Sequence, residues 1–347
     1  MAKTKIILHL KNCLFTLLLI FSIFASSQVS DFHNINFQKA DSIADFYHGE
    51  SLTNLPLLSF KLTNDLTTPV EKFRSLHTWV CKNIENDYGF YLENKRHREF
   101  FQKDSIKLND WNKSFQKRVF TKLLEDRQTI CTGYAYLVME LANQAGIKCK
   151  IIDGYARTPS SNVKTLGIPN HSWNAVQLNE KWYLCDPTWS SGNIYPFGEV
   201  SKFVHQYNDG YFLCDPSFFI KNHFPLDTAW TLTGQFSVAD FLNGPIVYNS
   251  AFRYGLYPTS PKSMQLKLTK NDSITFSFHT DEQIDANKIY FGLISGSHKI
   301  TADPEIITQD NGILILQHSF NKSGYSDLHI MIEDQVLITY TASVNRK

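Results

Sequence analysis

Charge of one sign is what this sequence lacks first. Its 34 Lys and Arg stand against 33 Asp and Glu, a formal net charge of +1 over 347 residues. No global field recommends a nucleic acid or an anionic membrane surface as partner. Collagen-like, repetitive and low-complexity stretches are missing too. None of the six cysteines forms a CxxC pair or a Cys/His spacing suited to zinc, so no metal is expected. Beyond residue 27 no segment is apolar for long enough to cross a bilayer. What is present suits a globular, ligand-handling protein: 43% hydrophobic residues, with 26 Phe and 16 Tyr. The length allows two domains with real cores.

Residues 1–27 carry Lys3, Lys5 and Lys11, then an apolar run over 13–25, then small residues before Gln28. That is the layout of a secretory signal peptide cleaved near Ser27, and it predicts a secreted or periplasmic protein without stable membrane insertion. An uncleaved anchor is the alternative. Cys13 is followed by more apolar sequence, which argues against a lipidated start. Cleavage leaves Cys81, Cys131, Cys149, Cys185 and Cys214, an odd set that keeps at least one thiol free.

The chain is organised around residues 128–141, QTICTGYAYLVMEL. Tyr134, Leu137, Val138, Leu141 and Ala142 fall on one helical face. Gly146 then stops the helix, and IKCKIID over 147–153 reads as a strand. Cys131 thus sits at the helix mouth, where unpaired backbone N–H groups and the dipole favour a thiolate. A small buried hydrophobe is the bland alternative for any cysteine. What reverses that reading lies in residues 170–189, NHSWNAVQLNEKWYLCDPTW. A turn centred on Asn179 and Glu180 would set Leu178 against Lys181 and Trp173 against Asp186. His171 is then the diagonal neighbour of Asp186 on the same face, and Cys185 points the other way. A carboxylate orients one imidazole nitrogen, and the other is left for the cysteine. A slip of one residue would separate them.

These blocks resemble the core motifs of the transglutaminase-like, papain-related superfamily. CTGYAYLVMELANQAGIKCKIIDGYAR and NHSWNAVQLNEKWYLCDPTWSSG carry the likeness, which places the family triad on Cys131, His171 and Asp186. YFLCDPSFFIKNHFPLDTAWTLT, residues 211–233, and the helix over 69–90 resemble the segments that flank this core in the kyphoscoliosis-peptidase and cytokinesis-protein branch. The resemblance covers about residues 52–250, with a gap before Cys131. It implies an α+β fold with a papain-like cysteine protease core.

Elsewhere the pattern is plainer. Residues 30–65 look helical and polar. Residues 69–87 form an amphipathic helix in which Phe73 and Trp79 should pack under the Cys131 helix, while Cys81 and His77 belong to the core. Residues 88–127 predict one or two inserted helices, read as a solvated cap in preference to a lid. Arg157 to Pro169 is a loop entering at His171, a plausible gate or subsite. From residue 251, strand-like runs recur with turns every ten or so residues, the mark of an antiparallel sandwich. GYSDLHI over 324–330 resembles the tyrosine-containing late strand of immunoglobulin-like domains. The expected division is leader 1–27, transglutaminase-like domain 28–250 and an all-β immunoglobulin-like sandwich 251–347, the last a module for a protein or glycan partner.

The chemistry implied is acyl transfer through a thioester at Cys131. His171 serves as base and then acid, Asp186 as orienter, and the Cys131 N–H as an oxyanion donor. No cofactor is required, and the substrate is a protein or peptide. Water or an amine could be the acceptor. Papain-like enzymes draw a second oxyanion donor from a Gln about six residues before the cysteine; here that position is Glu125, and Gln128 is too near. A catalytically silent interaction scaffold is the rival class.

Overall fold

The computed structural model describes residues 29–197, 200–234, 236–280 and 284–346. The expected leader lies outside them. Among the described residues no helix is long and apolar enough to cross a membrane.

The helices of the first half run α1 (Gln38–Phe46), α2 (Leu55–Thr63), α3 (Pro69–Asn83), α4 (Tyr88–Phe101), α5 (Ser105–Asp126) and α6 (Cys131–Gln144). Local chemistry sets their ends. Thr68 and Glu71 form a capping box at the start of α3, with Pro69 in its first turn. Gly146, at φ 75°, ends the turn after α6 in the left-handed conformation that glycine tolerates best. Phe73, Leu76, Trp79 and Val80 of α3 share one buried cluster with Tyr134, Leu137, Val138 and Leu141 of α6, as the amphipathic pattern predicts. Helices α4 and α5 fill the expected insertion, and Phe90, Phe115 and Val119 give the pair a small core of its own. The two-residue strands β1 (Glu85–Asn86) and β2 (Gln128–Thr129) pair in parallel and close the neck of that insertion.

Strands β3 (Cys149–Ala156), β4 (His171–Leu178) and β5 (Lys181–Cys185) form an antiparallel meander behind α6. After the short helix α7 (Pro187–Ser191), β6 (Gly192–Phe197) and β7 (Val200–His205) leave as a separate two-stranded ribbon. The chain returns through β8 (His223–Pro225), which adds to the free edge of β3 and gives the order β5-β4-β3-β8. Strand β4 is buried on both faces. Val176 and Leu178 meet the helical cluster, and Trp173 and Ala175 enter a second cluster behind the sheet.

That second cluster continues into the C-terminal half. Its strands are β9 (Ile246–Val247), β10 (Leu256–Ser260), β11 (Gln265–Thr269), β12 (Ser273–Thr280), β13 (Ile289–Ser295), β14 (His298–Ala302), β15 (Ile306–Asp310), β16 (Ile313–Ser319), β17 (Gly324–Ile332) and β18 (Gln335–Asn345). They make two sheets, β10-β12-β16-β15 and β11-β18-β17-β13-β14, with β9 on β18. Strand β11 runs parallel to β18, and the other pairings are antiparallel. Phe276, Phe278, Leu328 and Ile330 alternate inward and join Tyr211, Phe218, Phe219 and Phe252 in the same apolar cluster as Trp173. The two halves therefore share a core, and β9 enters the C-terminal sheet a few residues ahead of the change in pattern at 251. Tyr325 of the GYSDLHI run is 71% exposed, and the strand turns buried side chains inward only from Leu328 onward.

Candidate functional site

The site begins with a hairpin turn. Asn179 and Glu180 both take positive φ, 49° and 63°, the pairing that a tight two-residue turn between right-twisted strands requires. Leu178 faces Lys181 and Asn174 faces Cys185, so the next step along β5 carries Asp186 past Trp173. Asp186 is also the N-cap of α7, ahead of Pro187. Its Oδ1 accepts the backbone N–H groups of Thr188 at 2.8 Å and Trp189 at 3.2 Å. Oδ2 accepts Nε2–H of His171 at 2.7 Å. One carboxylate thus fixes a helix start and an imidazole together. Cys185, one residue earlier, lies in the helical cluster on the other face, as strand parity requires.

A second histidine meets the same oxygen. His223 Nε2 lies 3.0 Å from Asp186 Oδ2, and the ring is fully buried. Strand β8 carries it there because Gly154 permits the approach: a Cβ at that position would come within 2.2 Å of the Phe224 carbonyl oxygen. The His223 ring stacks on Phe219 at 4.0 Å and is enclosed by Trp173, Trp189 and Tyr211. Its Nδ1 lies 2.7 Å from the Asn222 side-chain oxygen. The sequence offers only a weak signal for His223, a polar Lys221–Asn222–His223 stretch between apolar residues.

Burial opposes a charge on Asp186, yet the charge and hydrogen bond of His171, followed by those of His223, hold its carboxyl well below the usual range. Burial alone would lower His171. Asp186, and after it Cys131, outweigh that and raise the imidazole to about 10. For His223 burial wins over the Asp186 bond, and its pKa falls to about 4. His171, Asp186 and His223 each offer one ligand atom, and these lie within 4.8 Å of one another, close enough to suggest a cation. The contacts of 2.7 and 3.0 Å, however, are N–H···O distances spent on a single oxygen, which fit shared protons better than a metal.

Cys131 opens α6 behind Ile130, whose side chain cannot cap the helix. The first N–H groups of α6 are thus left without a side-chain acceptor. Cys131 and His171 line the same cavity, about 680 Å³ in volume. Cys131 is among the groups that raise the imidazole's pKa. Since Asp186 holds Nε2, Nδ1 is the nitrogen left to it. All five described cysteines are buried, and Cys131 at 8% is the most exposed of them. Burial pushes Cys149 up to about 12 and drives Cys81 and Cys185 upward as well.

The cavity wall corrects one expectation. Helix α4 is no remote cap, since Tyr88, Tyr91 and Lys95 face the cavity. Arg98 of the same helix donates to the Pro169 carbonyl at 2.7 Å and so tethers the loop that leads into His171. That loop contributes Thr158 and Ser161 to the wall, and Arg253 and Asp334 reach it from the far end of the chain. Gln128 spends its amide on Glu85 at 3.1 Å, and Glu125 is exposed, so neither supplies an oxyanion donor. Tyr91 presents a phenol on the wall. Burial first, and the neighbouring Cys131 next, keep it un-ionised to about 12.

The sequence model of the transglutaminase-like superfamily matches residues 57–187, a span that contains Cys131, His171 and Asp186. The chain is 29% identical to human (Homo sapiens) kyphoscoliosis peptidase over 173 residues, covering 49% of this chain and 23% of that protein. The mouse (Mus musculus) kyphoscoliosis peptidase is 28% identical over the same length and the same shares of the two chains. Cytokinesis protein 3 of Saccharomyces cerevisiae is 27% identical over 139 residues, 38% of this chain and 14% of that protein. The chain therefore spans about a quarter or less of the relatives it matches. Residues 57–187 thus match the transglutaminase-like superfamily, and the chain is similar to these proteins over part of their length.

Proposed function

We propose that this transglutaminase-like domain forms thioesters with protein or peptide amides at Cys131, in a protein exported from the cell that makes it. The observation that carries the reading is the 2.7 Å bond between His171 Nε2 and Asp186 Oδ2, with Cys131 and His171 on one cavity wall. In this scheme the proton that His171 carries on Nδ1 is the one given up by the thiol, and Asp186 stabilises the resulting imidazolium. The sulfur attacks the amide carbonyl, and the Cys131 N–H and the Tyr91 hydroxyl donate to the oxyanion. His171 then protonates the departing amine. Water or an amine enters next, gives up its proton to His171 and releases the acyl group. The peptidase name of the human relative favours water. Export rests on the composition of residues 1–27.

The order of the C-terminal sheets, with β11 parallel to β18 beside β17, β13 and β14, supports an immunoglobulin-like sandwich. We assign it to partner or substrate positioning, because Arg253 and Asp334 reach the cavity from that half. A scaffold reading draws on a different fact: Asp186 caps α7 while tying β4 and β8 together, a role that needs no chemistry.

Hydrolysis and amine-incorporation assays across a broad peptide library, on wild type and Cys131→Ala, decide between them. Turnover that disappears in the variant supports acyl transfer. Turnover that persists without Cys131, or none anywhere in the library, overturns it in favour of the scaffold.

A further inference from the structure

We infer that His223 is a positioning residue for the acyl transfer, a second N–H donor on Asp186 Oδ2 that sets how strongly the carboxylate holds a protonated His171. The inference rests on the acyl-transfer reading for its purpose, though its geometry stands independently.

Four donors saturate Asp186. Thr188 and Trp189 N–H groups take Oδ1, and the two histidines take Oδ2. A carboxylate so enclosed cannot rotate without abandoning a bond in a site with no water-facing surface, since Asp186 and His223 are both 0% exposed. His223 is itself held on several sides. Phe219 stacks on it, Asn222 meets Nδ1, and Asn222 passes to the Tyr211 hydroxyl at 3.2 Å. Tyr211 donates to Asn249 at 2.8 Å, and Asn249 to Asn193 at 3.1 Å. Those last two residues line the cavity, so a line of polar contacts runs from the far wall through Tyr211 and Asn222 to the His223 ring.

The electrostatic consequence has a definite sign. Every donor on Oδ2 drains charge that would otherwise attract the His171 proton. Removing His223 therefore leaves a more basic carboxylate and a His171 that releases its proton at higher pH. The sign is the same whether His223 is neutral or protonated, since loss of a donor and loss of a positive charge both strengthen the Asp186–His171 pair. The titratable groups packed about these three residues are Cys131 and Tyr211, with His77, Cys81, Tyr134 and Cys185 reached by the charge of Asp186. None of them donates to Oδ2 and so none replaces His223 there.

The test uses ¹⁵N-histidine spectra of the full chain, with His171 assigned by loss of its signals in His171→Asn. In the wild type, ring N–H protons of both His171 and His223 should appear far downfield, protected from exchange; a spectrum with only one overturns the inference. His223→Phe keeps the stack on Phe219 and removes the donor, and it should raise the His171 titration by roughly one pH unit, the order of a hydrogen bond to a charged group. His223→Gln can restore an N–H donor and should bring the titration back toward wild type. An unchanged His171 titration in His223→Phe, with only a lower melting temperature, would make His223 merely structural and overturn the inference. Absence of turnover in the wild type would defeat the acyl-transfer reading alone, because the spectra do not depend on a substrate.

Discussion

His223 reaches the oxygen of Asp186 that His171 already holds, at 3.0 Å against 2.7 Å. Two imidazoles on one buried carboxylate oxygen make Asp186 the hinge of the site. It joins the ends of β4 and β8, starts α7, and faces the cavity only through His171. Changes at this carboxylate should therefore touch chemistry and architecture together.

Asp186→Asn keeps the size but presents an amide where both histidines expect an acceptor. The wrong tautomer of His171 follows, and turnover should fall by about 10⁴-fold, the scale seen when a triad carboxylate is made an amide. Because the group is fully buried, melting should fall too. Cys131→Ala should abolish turnover at a cost of about 1 kcal/mol, since the side chain is small but mostly enclosed. Paired melting curves and peptide assays check both. A Cys131→Ala variant that melts like wild type and still turns over would contradict the account.

Tyr91→Phe removes the hydroxyl of a side chain that lines the cavity. If that hydroxyl donates to the oxyanion, the turnover number should drop about 10²- to 10³-fold with little change in KM or melting temperature. An unaltered turnover number would assign the second donor elsewhere.

Gly154→Ala tests how β8 docks. The added Cβ would meet the Phe224 carbonyl at 2.2 Å and the Trp173 ring at 2.6 Å. Backbone must shift, at a cost of about 1–3 kcal/mol. Chemical denaturation should show that loss, together with a changed His223 ring signal. A variant as stable as wild type would mean that the edge of β3 accommodates more than its packing suggests.

Stability should peak near neutral pH. An unfolded chain protonates its histidines near pH 6.5, whereas burial keeps His77 and His223 neutral in the fold down to about 3 and about 4. Stability present above about 6.5 is therefore lost as pH falls toward 4. His171 has the opposite sign, because the fold holds its proton to about 10. Its contribution is complete below about 6.5 and is lost as pH rises through 10. Melting curves from pH 4 to 10 should form a dome whose alkaline side flattens in His171→Asn. An alkaline slope that His171→Asn leaves unchanged would contradict the pairing.

Much of this was legible in the residues, because local rules decided it. Asn179 and Glu180 could make a two-residue turn, and the turn alone put His171 and Asp186 on one face. Gly146 ended the Cys131 helix as its conformation required. His223 was not legible in the same way. Its partner lies 37 positions earlier and is met only because β8 adds to β3 across Gly154, a long-range pairing with no periodic signal. Helix α4 was read as solvated from its Lys, Arg and Glu, yet Tyr88 and Tyr91 give it a second face toward the cavity. The shared core escaped notice because Trp173 and Phe276 each look like an ordinary inward residue of its own sheet.

The most direct measurement is peptide mapping of iodoacetamide labelling near neutral pH, on wild type and His171→Ala. Cys81, Cys149 and Cys185 are buried with their thiols pushed upward, so they serve as internal controls. If Cys131 is activated by His171, it should label at least about 100-fold faster than those three in the wild type, and lose most of that advantage in His171→Ala. Labelling of Cys131 at the rate of the buried cysteines, or at an equal rate with and without His171, would contradict the proposed nucleophile.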